Sequence, residues 1–327
     1  MDPAQEQAEF KSLFERLIQS FAGQKVAIVT HNKADVDAYS SAFALHKFIP
    51  NSVMCSGEEM NEGAKKLSAK FNIIPIPLSS LLKTKETYAG VIVCDTSAHT
   101  LAPDVKSGGW KILGIIDHHR KDGKDMLGEI EIIDEQSPSA AEIIAGLLGH
   151  NIDSQSAFAL SVGIIADGAR FKSARKETFA TLNRLMEICG TKYIELLEYA
   201  EPERTEESKT AILRAFKKIE YQYSEGYFIV KTETTSNEGD VAGLLSEVAD
   251  VAFVARWKNE DKVTRVSARA SKKVKIPLNE VMAEIGRKLG GAGGGHPKAA
   301  GVSVPTRTEE TLQECVDLFI EKAHAIE

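Results

Sequence analysis

The sequence predicts an α/β protein: a doubly wound, mainly parallel sheet followed by a smaller C-terminal α/β domain. Two observations support this fold class. Short apolar runs rich in β-branched residues alternate with helical patterns through the first half of the chain, which is the order of strand–helix–strand units. The same alternation restarts near residue 227, after a long Glu- and Lys-rich helical stretch, and therefore predicts a second sheet.

The elements of the first part follow one another closely. Apolar positions at helical spacing predict a first helix over residues 4–21. Continuous apolar runs, typical of buried parallel strands, predict strands at 25–30, 52–55, 73–76, 90–94 and 111–116. Helices are predicted at 40–48, 60–71, 79–85, 138–149, 155–167 and 175–189.

The second part begins with a helical stretch over 191–220. Strands are then predicted at 227–232, 251–257 and 263–270, and helices at 239–249, 277–289 and 308–325. We therefore expect a first domain over 1–190, a helical linker over 191–225 and a second domain over 226–327.

The composition limits the functional classes. A net charge of −7 argues against non-specific binding of long nucleic acid over the whole surface. No apolar run approaches the roughly 18 residues that span a bilayer, and the acidic, polar N-terminus is not a secretory signal, so no membrane association is expected. The four scattered cysteines are typical of buried free thiols in a reducing cytoplasm, which is the expected location.

Acidic and imidazole side chains follow several predicted strands directly. Ligands of parallel sheets bind beyond the carboxyl ends of the strands, so these side chains are expected to meet at one rim. The candidates are His31, Asp35, Asp37, Asp95, Asp117, His118 and His119, with Asp167 on an otherwise apolar helix. Oxygen and imidazole donors suit a divalent ion such as Mn²⁺, Mg²⁺ or Zn²⁺.

Most of these candidates also have a purely structural explanation. Asp37 can cap the helix that follows it, Asp95 can cap a helix after its strand, and Asp167 can lie at a capped helix end. The triplet 117–119 is harder to explain in this way, because polar groups directly after a buried run need partners. Four separate stretches of the sequence each place an acid or imidazole at the end of a predicted strand or helix. This agreement favours a shared metal centre.

The second domain carries the glycine-rich stretch 290–296. Such a stretch is either a flexible loop or a series of backbone N–H groups that cradle a phosphate. Arg269, His296 and Lys298 would add cationic donors. We assign Arg265 and Arg269 to a substrate-holding face and leave open whether the neighbouring lysines protect an exposed strand.

These motifs resemble those of the DHH phosphoesterase superfamily, in the branch that carries a C-terminal DHH-associated domain. Four motifs match in order: the His31 loop, Asp95, Asp117-His118-His119 and Asp167. The stretches 293–301 and 267–271 resemble the substrate-binding signature of the oligoribonuclease/pAp-phosphatase and RecJ-related proteins. The resemblance covers nearly the full chain.

The resemblance implies two divalent metal ions, with manganese expected and magnesium or cobalt as alternatives. The implied ligands are His31, Asp35 and Asp95 for one ion, and Asp37, Asp95, His118 and Asp167 for the other. Two such ions would offset the repulsion among the carboxylates and activate water for phosphoryl transfer. His119 is expected to contact the scissile phosphate or protonate the leaving group, and Asp117 to orient the histidines.

The resemblance also implies a division of labour, with chemistry in the first domain, substrate held by the second, and the active site in the cleft between them. The implied substrate-binding residues are Arg265, Ser267, Arg269, Ser271, Gly293, Gly294, Gly295, His296 and Lys298. The expected activity is hydrolysis of short single-stranded RNA or DNA oligonucleotides to nucleoside monophosphates, together with pAp.

Three alternatives stay open. A RecJ-like single-strand exonuclease and a cyclic-dinucleotide phosphodiesterase would use the same chemistry. A non-catalytic scaffold of a replication complex would keep the fold but would be expected to have lost ligands. A chain of 327 residues lacks room for the extra nucleic-acid-binding domain of full-length RecJ, which favours short substrates. A homo-oligomer is compatible with the sequence, but no surface is assigned to it.

Overall fold

The computed structural model describes residues 3–57, 59–120, 125–168, 171, 173–201 and 203–325. The chain divides into two units, Met1–Glu203 and Arg204–Glu327. The stretch 191–225, predicted as a helical linker, contributes to both units. It contains two helices, and its last residues form a strand of the second unit.

The first unit contains a central sheet surrounded by helices. Its strands are β1 (Lys25–Val29), β2 (Lys33–Ala34), β3 (Ser52–Ser56), β4 (Glu59–Met60), β5 (Ile76–Pro77), β6 (Tyr88–Cys94), β7 (Ile112–Asp117) and β8 (Ile130–Ile133). Its helices are α1 (Pro3–Ser20), α2 (Val36–Phe48), α3 (Glu62–Phe71), α4 (Pro103–Ser107), α5 (Ala140–Leu148), α6 (Ser154–Asp167), α7 (Lys176–Cys189) and α8 (Tyr193–Ala200). A 3₁₀ helix covers Leu78–Thr87.

Six parallel strands form the central sheet in the order β5-β3-β1-β6-β7-β8. Successive residues of β1 face opposite cores, with Ile28 packed in the cluster around Tyr39 and Ala27 in the cluster around Trp110. The doubly wound parallel sheet expected from the sequence is confirmed. The strand order reverses between β1 and β6, which is where open α/β sheets form a binding crevice.

The second unit contains a mixed sheet. Its strands are β9 (Glu220–Ser224), β10 (Tyr227–Glu233), β11 (Val251–Lys258), β12 (Val263–Ala270), β13 (Ala292–His296) and β14 (Ala299–Val304), and its helices are α9 (Glu206–Phe216), α10 (Glu238–Leu245), α11 (Leu278–Lys288) and α12 (Thr308–His324). The strand order is β13-β14-β12-β11-β10-β9, and only the β10–β11 pair is parallel. The predicted smaller α/β domain is thereby confirmed. Within the described ranges no helix combines the length and apolar character needed to cross a membrane.

The glycine-rich stretch differs from both sequence-based interpretations, because most of it is the extended strand β13 rather than a loop or an N–H nest. Packing explains several of its glycines. A Cβ on Gly293 would lie 2.0 Å from the Met282 carbonyl oxygen, and one on Gly291 would lie 2.0 Å from that of Ser303. Because glycine has no side chain, this edge strand can lie directly against α11 and β14.

Candidate metal centre

The loop after β1 and the start of α2 carry the first candidate ligands. Asp35 is the N-cap residue of α2, and its Oδ1 accepts a hydrogen bond of 3.0 Å from the backbone N–H of Ala38. Its Oδ2 lies 3.8 Å from Nε2 of His31. The suggestion that Asp37 caps this helix was wrong. Asp35 does so with one oxygen and keeps the other facing His31.

Asp37 is 1% exposed and reaches across to a different helix. Its two carboxylate oxygens accept hydrogen bonds from the backbone N–H groups of Ala140 (2.7 Å) and Ala141 (2.9 Å), the first residues of α5. The unpaired N–H groups and the dipole at a helix N-terminus stabilise such a carboxylate. Burial, together with the charges of Asp95 and Asp167, raises the pKa of Asp37 well above its ordinary value.

Asp95 follows β6 in a left-handed conformation, with φ of 60°. It is 3% exposed, and its backbone N–H donates to the Ile116 carbonyl oxygen at 2.9 Å. Aspartate tolerates this conformation better than most residues, and such backbone outliers cluster at functional sites. The next helix begins only at Pro103, so the alternative that Asp95 caps a helix was wrong.

The two histidines after β7 are oriented by different groups. The buried Asp117 accepts hydrogen bonds through Oδ1 from the backbone N–H groups of His118 and His119 and from His119 Nδ1, the last at 2.8 Å. Nδ1 of His118 instead lies 3.2 Å from the Ser137 carbonyl oxygen. When Nδ1–H donates to this oxygen, Nε2 of His118 presents a lone pair to the site. The sequence did not indicate the role of Ser137, because a backbone carbonyl leaves no signal in side-chain identity.

All six predicted metal ligands come together. Nε2 of His118 lies 3.3 Å from Asp95 Oδ1 and 3.3 Å from Oδ2 of Asp167, the last residue of α6. Nε2 of His31 lies 3.6 Å from the other oxygen of Asp95. Among the residues that the structure describes, three groups have ligand atoms within 4.8 Å of one another: His31, Asp35 and Asp95; Asp37, His118 and Asp167; and Asp95, His118 and His119.

Five carboxylates and three histidines meet at this site, and the carboxylates dominate its electrostatics. Burial opposes protonation of His31 and His118, yet the adjacent carboxylates raise the pKa of each to about 10. Burial also raises the pKa of Asp167 to about 6. The buried atoms Asp95 Oδ1 and His118 Nε2 lie 3.3 Å apart without the alignment of a hydrogen bond, and neither has another hydrogen-bond partner. Buried ligand atoms without hydrogen bonds, in a negative electrostatic potential, are suited to bind divalent cations. The residues present therefore suit a metal site.

The candidate substrate residues of the second unit lie in cross-strand rows. The register pairs Arg265, Ser267 and Arg269 of β12 with Ser303, Gly301 and Ala299 of β14. The same rows continue to Ala292, Gly294 and His296 of β13. Because alternate residues of a strand share a face, these nine residues lie on one face of the sheet. Gly301 and Gly294 therefore form a flat floor beside Ser267, between the row of Arg265 and the row of Arg269 and His296.

A pocket of about 570 Å³ lies over this glycine floor, with Arg265 and Ser267 in its lining. A Cβ on Gly294 would meet no atom within 4 Å. Gly293 and Gly295 alternate to the opposite face, where a Cβ would lie 2.0 Å from the Met282 carbonyl oxygen and 2.7 Å from that of Ala299, respectively. Packing thus explains Gly293 and Gly295, whereas nothing in the described part of the chain requires glycine at 294.

Other predicted substrate residues make local contacts. The Ser271 hydroxyl bonds to Asp250 Oδ1 at 3.3 Å, and the Lys298 ammonium donates to the Val274 carbonyl oxygen. An acid that the sequence did not single out, Glu238 at the start of α10, also lines the pocket.

Family models match both parts of the chain. Residues 25–164 match the model described as DHH family, N-terminal domain, and residues 225–325 match the DHHA1 domain. The chain belongs to the DHH superfamily. Its members are metal-dependent phosphoesterases, and this DHH protein brings together the acids and histidines suited to such a metal site.

Individual proteins similar to this DHH protein align with nearly the full chain. A protein of Methanocaldococcus jannaschii is 28% identical over 326 residues, covering 94% of this chain and 97% of its own. The crystal structure of an exopolyphosphatase-related protein from Bacteroides fragilis aligns with a TM-score of 0.79 at 16% identity and covers 97% of both chains. That of CDC45 from Entamoeba histolytica aligns with a TM-score of 0.53 at 8% identity, covering 96% of this chain and 99% of its own. At these identities, the two structures indicate a shared fold.

Proposed function

We propose that this DHH protein is a two-metal phosphodiesterase that removes nucleoside monophosphates from one end of short single-stranded oligonucleotides and also accepts pAp. The observation that carries the proposal is the glycine floor, with Arg265 in the row on one side and Arg269 and His296 in the row on the other. Arginine and histidine side chains supply charge-assisted hydrogen bonds to phosphate, and a floor without side chains admits a flat nucleotide. The pocket volume of about 570 Å³ is within the range of small-ligand sites and can hold one nucleotide.

Two neighbouring groups of three candidate ligands, joined through Asp95, support two metal ions. His31, Asp35 and Asp95 would hold one ion, and Asp37, His118 and Asp167 the other, with Asp95 shared between them. Two divalent ions, with manganese expected, would activate water and stabilise the oxygens of the transferred phosphoryl group. Two of these ligands are oriented by hydrogen bonds: the Asp37 carboxylate by backbone N–H groups of α5, and the His118 ring by the Ser137 carbonyl group.

His119 is suited to protonate the leaving group. Its Nδ1 is held by Asp117 at 2.8 Å, and the side chain remains 49% exposed, so Nε2 can reach a substrate oxygen. A histidine whose second nitrogen is held by a buried carboxylate is a common arrangement for proton transfer in hydrolases. Asp117 would therefore act through the orientation of His119.

The proposal is tested by hydrolysis of a matched panel with Mn²⁺ and with EDTA. The panel contains 2-mer, 5-mer and 24-mer RNA and DNA, pAp and cyclic di-AMP, with end-labelled products separated by length. We expect Mn²⁺-dependent release of mononucleotides, fastest from the shortest oligomers. Preference for the 24-mers would favour a RecJ-like exonuclease, and cleavage of cyclic di-AMP alone would favour a cyclic-dinucleotide phosphodiesterase. Absence of turnover despite bound metal would favour a scaffold.

The role of His119 predicts a dependence on the leaving group. His119→Gln should slow hydrolysis of a dinucleotide by about 100-fold or more, since its alkoxide leaving group needs a proton. The p-nitrophenyl ester of thymidine monophosphate releases a stable phenolate, so the same variant should slow its hydrolysis less than about tenfold. Steady-state rates on both substrates check this. The exposed His150→Gln variant is the control, and equal loss on both substrates would exclude the proton-donor role.

A further inference from the structure

The guanidinium group of Arg175 joins two buried carboxylates of the first unit. Arg175 Nε donates to Glu142 Oε1 at 2.8 Å, and its Nη2 donates to Asp134 Oδ2, also at 2.8 Å. Glu142 is 4% exposed and Asp134 is 8% exposed. Two buried acids without this cation would be costly, so the arginine holds both in place.

The two carboxylates are the ends of the segment 134–142, which contacts two predicted metal ligands. The Ser137 carbonyl oxygen bonds to the ring of His118, and the N–H groups of Ala140 and Ala141 bind both oxygens of Asp37. Every one of these contacts from the segment is made by backbone atoms. The positions of the His118 ring and the Asp37 carboxylate therefore depend on the path of this segment.

The internal bonds of the segment lead back to the same arginine. Asp134 Oδ1 accepts from the backbone N–H groups of Gln136 (2.9 Å) and Ser137 (3.1 Å), which turns the chain so that the Ser137 carbonyl can face His118. At the other end, Glu142 lies in the first turn of α5, directly after the N–H groups that hold Asp37. Arg175 thus contacts the segment at the two places that determine its path.

We propose that Arg175 is a positioning residue for the metal centre, acting through segment 134–142 on His118 and Asp37; this rests on the proposed metal-binding function. Arg175 cannot itself bind a metal ion, because its guanidinium group is a cation with hydrogen-bond donors only. Its effect should therefore appear in metal affinity. Residues that orient metal ligands typically change affinity by about 10–100-fold when replaced.

The chain provides a matched control further along α7, the helix that Arg175 precedes. Arg184 lies on α7 and donates to the carbonyl oxygens of Gly149 (2.6 Å) and Ala145 (2.8 Å), which closes the C-terminus of α5. Its replacement removes an arginine that supports α5 but leaves segment 134–142 and its contacts unchanged. A general loosening of α5 would affect both variants alike, whereas positioning by Arg175 would not.

The experiment titrates Mn²⁺ into metal-free, full-length wild type, R175Q, R175K and R184Q, with free Mn²⁺ measured by electron paramagnetic resonance and folding by circular dichroism. R175Q should bind Mn²⁺ about 10–100-fold more weakly, R175K should lie between R175Q and wild type, and R184Q should keep wild-type affinity. The R175Q/E142Q variant removes the charge left buried on Glu142, so it separates weaker binding from loss of folding.

The outcomes separate this inference from the function on which it rests. A folded R175Q protein, or a folded R175Q/E142Q protein, with wild-type Mn²⁺ affinity would overturn the positioning role and leave the metal assignment intact. An equal loss of affinity in R184Q would also overturn it. Failure of wild type to bind Mn²⁺ would instead overturn the proposed metal centre.

Discussion

Replacing Asp95 by asparagine is expected to remove tight Mn²⁺ binding and to lower phosphodiester hydrolysis by more than about 100-fold, beyond the typical cost of losing a residue that only supports a ligand. Its two oxygens face His31 and His118, so the substitution removes a charged donor from both proposed ion sites. Asparagine tolerates the φ of 60° at this position, which makes it a cleaner change than alanine. Metal content after dialysis and hydrolysis rates measure the effect.

Circular dichroism of the metal-free D95N protein checks its folding, because Asp95 also lies against the rings of His31 and His118. The control is Asp153→Ala at the start of α6, the helix that ends at Asp167. The Asp153 side chain accepts a hydrogen bond of 2.7 Å from the Ser156 N–H, so its loss should cost about 1 kcal/mol of unfolding free energy and leave Mn²⁺ binding unchanged. His118→Ala should behave like D95N, and near-normal activity in either variant would refute the two-metal assignment.

Replacing Gly294 by valine should lower kcat/KM for oligonucleotides by at least about tenfold, which corresponds to about 1.4 kcal/mol, while metal content stays at the wild-type level. No atom lies within 4 Å of a Cβ at this position, so the strand can accept the side chain, but valine would stand on the glycine floor where the substrate is proposed to lie. Valine also suits a strand. Kinetics over a range of substrate concentrations and metal analysis of the same samples check this.

The neighbouring glycine separates substrate effects from folding effects. Gly293→Ala would place a Cβ 2.0 Å from the Met282 carbonyl oxygen, so it should lower the midpoint of thermal unfolding. Arg269→Ala and His296→Ala, in the row on one side of the glycine floor, should weaken substrate binding without loss of metal. Gln222→Val on β9, the edge strand at the other side of the sheet, should change neither substrate binding nor metal content. Wild-type kinetics in G294V would contradict the proposed position of the substrate, and loss of metal in R269A or H296A would contradict the division of labour between the units.

Much of the first unit could be predicted because local pattern and tertiary environment agree there. The apolar runs of β1, β6 and β7 are buried central strands, and each precedes candidate ligands. Several other strands were not predicted, and edge strands are among them. β9 has the polar sequence Glu-Tyr-Gln-Tyr-Ser and forms by pairing with β10, and the four-residue strand β8 lies at the edge of the first unit's sheet beside β7. For edge strands of this kind, pairing outweighs the propensity of the segment.

The sequence by itself determined the residue types of the candidate metal centre and the family, because acids and histidines follow buried strands in a fixed order. Only the tertiary structure decided which group orients each of them. Asp37 is held by N–H groups more than a hundred residues away, at Ala140 and Ala141, and the His118 ring faces a carbonyl group at Ser137. The tertiary structure also distinguished Gly293 and Gly295, which packing explains, from Gly294, because strand register decides which side of the sheet each residue faces. Backbone partners and register arise from long-range packing, which no local pattern encodes.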